Sequence, residues 1–69
     1  MAEILNNRLR EVREQRGWTQ AELAARIGVS RKTVNTIENR VFTPSTLIAL
    51  KLARALELPV EKLFSISSD

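Results

Sequence analysis

A chain of 69 residues is one domain near the lower size limit for independent folding, able to bury only about 60% of its unfolded surface. Its 43% hydrophobic and 28% charged residues are those of a globule rather than a disordered tail. Eleven Lys and Arg against eight Asp and Glu give a formal charge of +3, which permits a polyanionic partner, while the lack of Cys and His excludes disulfides, thiolate chemistry and the commonest metal ligand and general base.

No metal or cofactor is therefore expected. The remaining carboxylates, Glu3, Glu11, Glu14, Glu22, Glu57 and Glu61, read as solvated helix residues, so the chain is not expected to be an enzyme. No apolar run is long enough for a membrane span, and MAEILNNRLR lacks the apolar stretch and cleavage site of a signal peptide. A cytoplasmic protein is expected, organised as a single domain over residues 1–69.

In chain order, Leu5, Leu9, Val12 and Arg16 recur at helical spacing and Gly17 suits a left-handed C′ position, which predicts a first helix over Leu5 to Arg16. TQAE, Thr19 to Glu22, is a capping box that opens a second helix with the apolar stripe Leu23, Ala24 and Ile27, closed by Gly28. Ser30 is an N-cap for a third helix in which Val34 and Ile37 point inward. A fourth helix is predicted to begin near Ser45 after Pro44, burying Leu47, Leu50, Ala53 and Leu56 or the neighbouring Ile48 and Leu52. Pro59 interrupts it, and Val60, Leu63 and Phe64 form a final turn. Of the terminal SISSD only Ile66 is apolar enough to bury. The expected fold is all-α, five short helices with little or no sheet.

The third helix begins with an anomaly. Arg31 and Lys32 stand in its first turn, where the helix dipole favours acids. From Arg26 to Arg40 four cations face Glu38 alone, whereas Glu57 to Asp69 carries three acids against Lys62. With Val34 inward, Ile37 and Glu38 stay on the inner side while Lys32, Asn35, Thr36 and Asn39 point away, flanked by Arg31 and Thr33. Such donors, amides and hydroxyls can hydrogen-bond base edges. A merely solvated helix face is the competing reading, and the misplaced cations weigh against it.

Gln20 to Ile37, with Leu23, Ala24, Ile27, Gly28, Val29, Val34 and Ile37 at the apolar and glycine positions, resembles the helix-turn-helix of the phage repressor/Cro (Xre) family. The motif itself covers about residues 20–39. The resemblance extends through GWTQAELAARIGVSRKTVNTIENR and TPSTLIALKLARALELPVEKLF and suggests a short stand-alone transcriptional regulator of the lambda-repressor-like fold.

It implies a third helix entering the major groove by its N-terminal residues and a second helix lying across the phosphate backbone. Base contacts would then come from Arg31, Lys32, Thr33, Asn35 and Thr36, and phosphate contacts from Arg13, Gln20, Asn39 and Arg40. Arg13 and Glu38 match the family's ion pair between first helix and recognition helix. Where many relatives have Asn-Gly after that helix, this chain has Asn39-Arg40, so either Asn39 or Arg40 takes the left-handed conformation. Phe42 covers the core or a dimer seam, and Trp18 and Phe64 pack between helices.

One unit reads only a few base pairs, so a homodimer on a pseudo-palindromic operator is expected, with half-sites about 34 Å apart or a multiple of that. Leu58, Phe64 and Ile66 on the C-terminal edge are its candidate interface. Only three aromatics, none beside Arg31, argue for duplex DNA over RNA or single strands. No small-molecule effector domain fits this length. The alternative is an antitoxin or protein-interaction module using the same fold.

Overall fold

The computed structural model describes residues 3–68; Asp69, counted above among the C-terminal acids, lies outside them. The order is β1 (Glu3–Asn7), α1 (Leu9–Gln15), α2 (Gln20–Ile27), α3 (Arg31–Glu38), α4 (Thr46–Leu56), α5 (Val60–Leu63) and β2 (Phe64–Ser68).

The five helices are as expected, but "all-α" needs correction. β1 and β2 pair antiparallel, with Leu5 opposite Ile66 and Asn7 opposite Phe64. Leu5 therefore belongs to a strand and not to the first helix. Asn7 sets the boundary: its Oδ1 accepts the Leu9 amide at 3.1 Å and its Nδ2 donates to the Ile37 carbonyl at 3.0 Å. The Arg8 amide meets the Leu63 carbonyl at 2.9 Å, tying the start of α1 to the end of α5. Local periodicity at Leu5 loses to a pairing between the two ends of the described chain, a tertiary effect that a sequence window does not contain.

The α2 terminus behaves as its residues dictate. Thr19 Oγ1 accepts the Glu22 amide at 3.0 Å and Glu22 Oε1 accepts the Thr19 amide at 2.8 Å, so the capping box is complete. Hydrogen bonding from Thr19, that of its backbone amide first, holds the Glu22 carboxyl below its ordinary range. Gly28, at φ 73°, ends α2 in the left-handed conformation that glycine adopts without a Cβ penalty. Ser30 Oγ accepts the Thr33 amide at 3.1 Å and starts α3.

The core gathers Leu9 and Val12 from α1, Leu23, Ala24 and Ile27 from α2, Val34 and Ile37 from α3, Leu52, Ala53 and Leu56 from α4, and Leu63 from α5. Of the two α4 faces the sequence allows, the structure selects Leu52, Ala53 and Leu56, with Ile48 half-buried, and leaves Leu47 and Leu50 63% and 53% exposed. The α4 helix stops before Pro59 because Glu57, at φ 58°, is left-handed. Arg16 is not a core residue: its guanidinium binds the Leu56 carbonyl and, at 3.0 Å, Glu57 Oε1, clamping the ends of α1 and α4. Trp18 packs against the core, as does Phe64, and the Arg26 guanidinium lies 3.9 Å from the centre of the Trp18 ring. Among the described residues no helix is long and apolar enough to cross a membrane.

Candidate nucleic-acid interface

Glu38 organises the site. It sits in the last turn of α3, and its carboxylate is fully enclosed. Burial alone would raise its pKa; hydrogen bonds from Arg13 and Gln20, the charge of Arg13 and a bond from Arg10 outweigh that and hold it below the ordinary carboxylate range. Arg13 Nε reaches Oε2 at 2.6 Å and Arg13 Nη2 reaches Oε1 at 3.2 Å. Gln20 Nε2 donates to Oε1 at 3.0 Å, and Arg10 Nε follows at 3.4 Å. Arg13, with 10% of its side chain exposed, also donates to the Trp18 carbonyl at 2.7 Å. One carboxylate thus joins α1, the α1–α2 turn, α2 and α3. Among the described residues no buried side-chain polar atom lacks a partner.

The network continues outward. Gln20 Nε2 donates to Asn35 Oδ1 at 3.2 Å, Asn39 Nδ2 donates to the same oxygen at 3.1 Å, and Arg10 Nη2 donates to Asn39 Oδ1 at 2.9 Å. The amide oxygen of Asn35 is therefore occupied and its NH2 group is what it offers. Both amide hydrogens of Gln20 are committed inside the protein. Thr36 Oγ1 donates back to the Lys32 and Thr33 carbonyls, both at 3.0 Å, which leaves it a lone-pair acceptor and a methyl.

Arg31 and Lys32 are exposed in the first turn of α3, which contains no acid. Among the described residues neither has a carboxylate partner, and the same holds for Arg40. Asn39 has φ −89° and Arg40 φ 61°, so Arg40 is the left-handed residue. The Val41 and Phe42 amides then both close on the Thr36 carbonyl, at 2.9 and 3.2 Å, and fold the following loop back along α3. Phe42 is 45% exposed and Val41 77%, so Phe42 does not cover the core. The structure thus brings Arg13, Gln20, Asn35, Glu38 and Asn39 into one network and leaves Arg31, Lys32 and Arg40 free beside it.

Of the candidate dimer residues, Leu58 and Phe64 are half-buried against the core, and Ile66 is 69% exposed. Phe64 and Leu5 also line a shallow cleft of about 210 Å³ against Leu50 and Ala49 of α4. Sequence reasoning missed two residues that the structure places beside α3. Arg10 lies one helical turn before Arg13, a spacing that puts both on one side of α1. Val41 carried no signal, because its placement beside α3 depends on the loop reversal at Arg40.

A helix-turn-helix family profile matches residues 9–63. An HTH-type transcriptional regulator of Bacillus subtilis, YgzD, is 34% identical over 65 residues, covering 94% of this chain and 98% of that protein. The antitoxin HipB of Escherichia coli is 41% identical over 54 residues, 78% of this chain and 57% of HipB. Among solved structures, the restriction-modification controller protein C.AhdI from Aeromonas hydrophila superposes with a TM-score of 0.76 at 36% identity, covering 80% of this chain and 83% of that one. The matched profile takes in all five helices, including the capped pair α2–α3 that carries the exposed cations, and the chain belongs to the helix-turn-helix family of DNA-binding transcriptional regulators, of the phage repressor/Cro (Xre) type.

Proposed function

We propose that this chain is a sequence-specific regulator, a repressor that acts as a homodimer on a pseudo-palindromic operator with α3 in the major groove. The observation that carries the reading is the first turn of α3, where two exposed cations stand without an acid and without an ion-pair partner among the described residues. The free protein gains nothing from cations there, but beside phosphates and guanine acceptors they become attractive.

Base readout falls to Arg31, Lys32, Thr33, Asn35 and Thr36. Among the phosphate contacts, Arg40 and Asn39 stand at the outer end of α3. Arg13 is too enclosed to do more than present one edge, and the half-exposed Arg10 beside it is the guanidinium a phosphate reaches. Gln20 can bind a phosphate only by giving up a bond to Asn35 or Glu38. If it releases Asn35, that oxygen keeps the Asn39 bond but regains one acceptor position, and Asn35 can then face an adenine with both donor and acceptor.

The dimer surface centres on the cleft that Leu50 of α4 shares with Phe64 of β2, with the exposed Leu47 and Ile66 and the half-buried Leu58 as its further candidates. Unpartnered apolar groups of this size on a small domain mark an interaction site. The similarity to HipB supports a second reading, in which the same surface receives a different protein and the chain acts as an antitoxin. C.AhdI is a restriction-modification controller, and a role of that kind would use the same DNA-binding geometry.

Selection of bound duplexes from a random library at near-physiological salt tests this, with Lys32→Ala and Asn35→Ala as controls. A palindromic site that the controls lose is expected, with the half-site spacing read from it directly. With about three phosphates neutralised per subunit, log affinity should fall against log salt with a slope of roughly −5. Weak, salt-sensitive binding with no motif would refute the recognition-helix reading and favour the protein-partner one.

A further inference from the structure

The loop after α3 leaves two large apolar side chains in an unexpected place. Val41 and Phe42 are 77% and 45% exposed, yet their amides are pinned to the Thr36 carbonyl, so their position is fixed by the backbone. With Ser30, Lys32, Thr33 and Thr36 they line a mainly apolar notch of about 300 Å³ on the side of α3. Three of those residues belong to the base-reading face proposed above. Fold stability does not account for the notch, because it adds nothing to the core and exposes apolar surface.

We propose that this notch receives the C5-methyl group of a pyrimidine in the major groove, making Val41 and Phe42 specificity-determining residues; the inference rests on the DNA-binding reading above. A thymine methyl is the apolar feature of the major-groove edge, and 5-methylcytosine presents the same group. The chemistry of the lining fits it. Thr36 has turned its hydroxyl back onto the helix carbonyls, so its methyl is left for the notch. The Thr33 hydroxyl is engaged with Ser30 Oγ at 3.0 Å. Lys32 contributes an aliphatic stem and carries its ammonium to the rim, where a polyanion is attracted. That cation, together with the continuity of the notch with Thr33 and Thr36, favours duplex DNA as occupant over a second copy of this chain, which would have to cover the recognition face itself.

The test uses the full chain and the operator recovered by selection. Each thymine is replaced in turn by deoxyuridine, which removes only the methyl, and each cytosine by 5-methylcytosine, which adds one. At one pyrimidine position per half-site the methyl-bearing base should bind about fourfold more tightly, or about fifteenfold when both half-sites change together, the effect of burying one methyl-sized group. A thymine-to-uracil loss identifies thymine as the natural occupant, and a cytosine-methylation gain identifies 5-methylcytosine. Phe42→Ala should bind methylated and unmethylated operators alike, whereas Phe42→Leu, which keeps an apolar wall, should retain the discrimination and show that the Ala effect is not misfolding. The proposal is overturned if the wild-type chain binds every uracil and 5-methylcytosine operator within twofold of the parent, or if Phe42→Ala still discriminates. Failure to recover any operator would instead overturn the DNA-binding reading, and this inference with it.

Discussion

Replacing Arg13 by Met removes three hydrogen bonds at once, at 2.6 and 3.2 Å to Glu38 and 2.7 Å to the Trp18 carbonyl. Glu38 would keep only Gln20 at 3.0 Å and Arg10 at 3.4 Å, with its carboxylate still enclosed. Breaking an enclosed pair by removing one partner costs about 3 kcal/mol, because the remaining charge is left desolvated. In a domain of this size that lowers the melting temperature by about 12–24 °C.

Glu38→Leu should cost a similar amount by stranding Arg13. The double variant Arg13→Met, Glu38→Leu should cost little more than either single one, a coupling of about 2–3 kcal/mol. Urea unfolding followed by circular dichroism measures all three, provided the m-values agree. Single-variant losses below about 1 kcal/mol, the range of a solvated pair, or additive losses in the double, would refute the claim that α3 is held through this carboxylate. Operator affinity is the second readout. The double variant should be little less stable than either single one yet lose affinity, since Gln20 and Asn35 lose the anchor that positions them.

Acid should weaken the fold through the same group. The Glu38 pKa is lowered in the folded protein, so its contribution is complete above the ordinary Glu value near pH 4.3 and is lost as pH falls from there through the lowered folded value; Glu38→Gln should make the stability–pH slope shallower in that window, and an unchanged slope would exclude the assignment. Arg40→Gly should stabilise the chain by about 1 kcal/mol by relieving a left-handed non-glycine residue, measured by urea unfolding, while reducing the salt slope of operator binding by about one per subunit if Arg40 meets a phosphate. Leu50→Asp, at a site 53% exposed, should leave the melting temperature of the isolated subunit nearly unchanged yet shift sedimentation to monomer and cut operator affinity at least tenfold; an unaltered dimer would move the interface elsewhere.

Much of the fold was legible because its signals are local. Thr19 with Glu22, Gly28 and Ser30 each specify a helix end within four residues, and all act as read. The Arg13–Glu38 contact followed from the family resemblance and agreed with the angular position of Glu38 on α3. The strands were not legible, because EILNN and FSISS acquire their conformation only by meeting each other from opposite ends of the chain. The exposed Leu47 and Leu50 escaped for a related reason: two overlapping apolar stripes run along α4, and only the placement of α2 and α5 decides between them. Hydrogen-bond directions were out of reach too. That Asn35 offers its NH2 and Thr36 its methyl depends on where Gln20, Asn39 and the helix carbonyls lie.

The polar network answers a constraint set by size. A domain this small can bury only one compact cluster, and here that cluster lies behind α3, among Leu9, Leu23, Val34, Ile37 and Leu52. The front of α3 must stay polar if it is to meet bases, so no apolar group can hold that side against α1 and α2. A carboxylate can, because it accepts from several directions at once, and its charge is answered by the guanidiniums of Arg13 and Arg10. The donors and acceptors so used are fixed in direction, and those of Arg13 and Glu38 are also withdrawn from solvent, which costs desolvation but leaves few alternative arrangements. The same bonds that attach α3 to the body thereby fix which atoms of Gln20, Asn35 and Asn39 face outward, so the stability of the helix and the pattern it presents are set by one cluster of side chains.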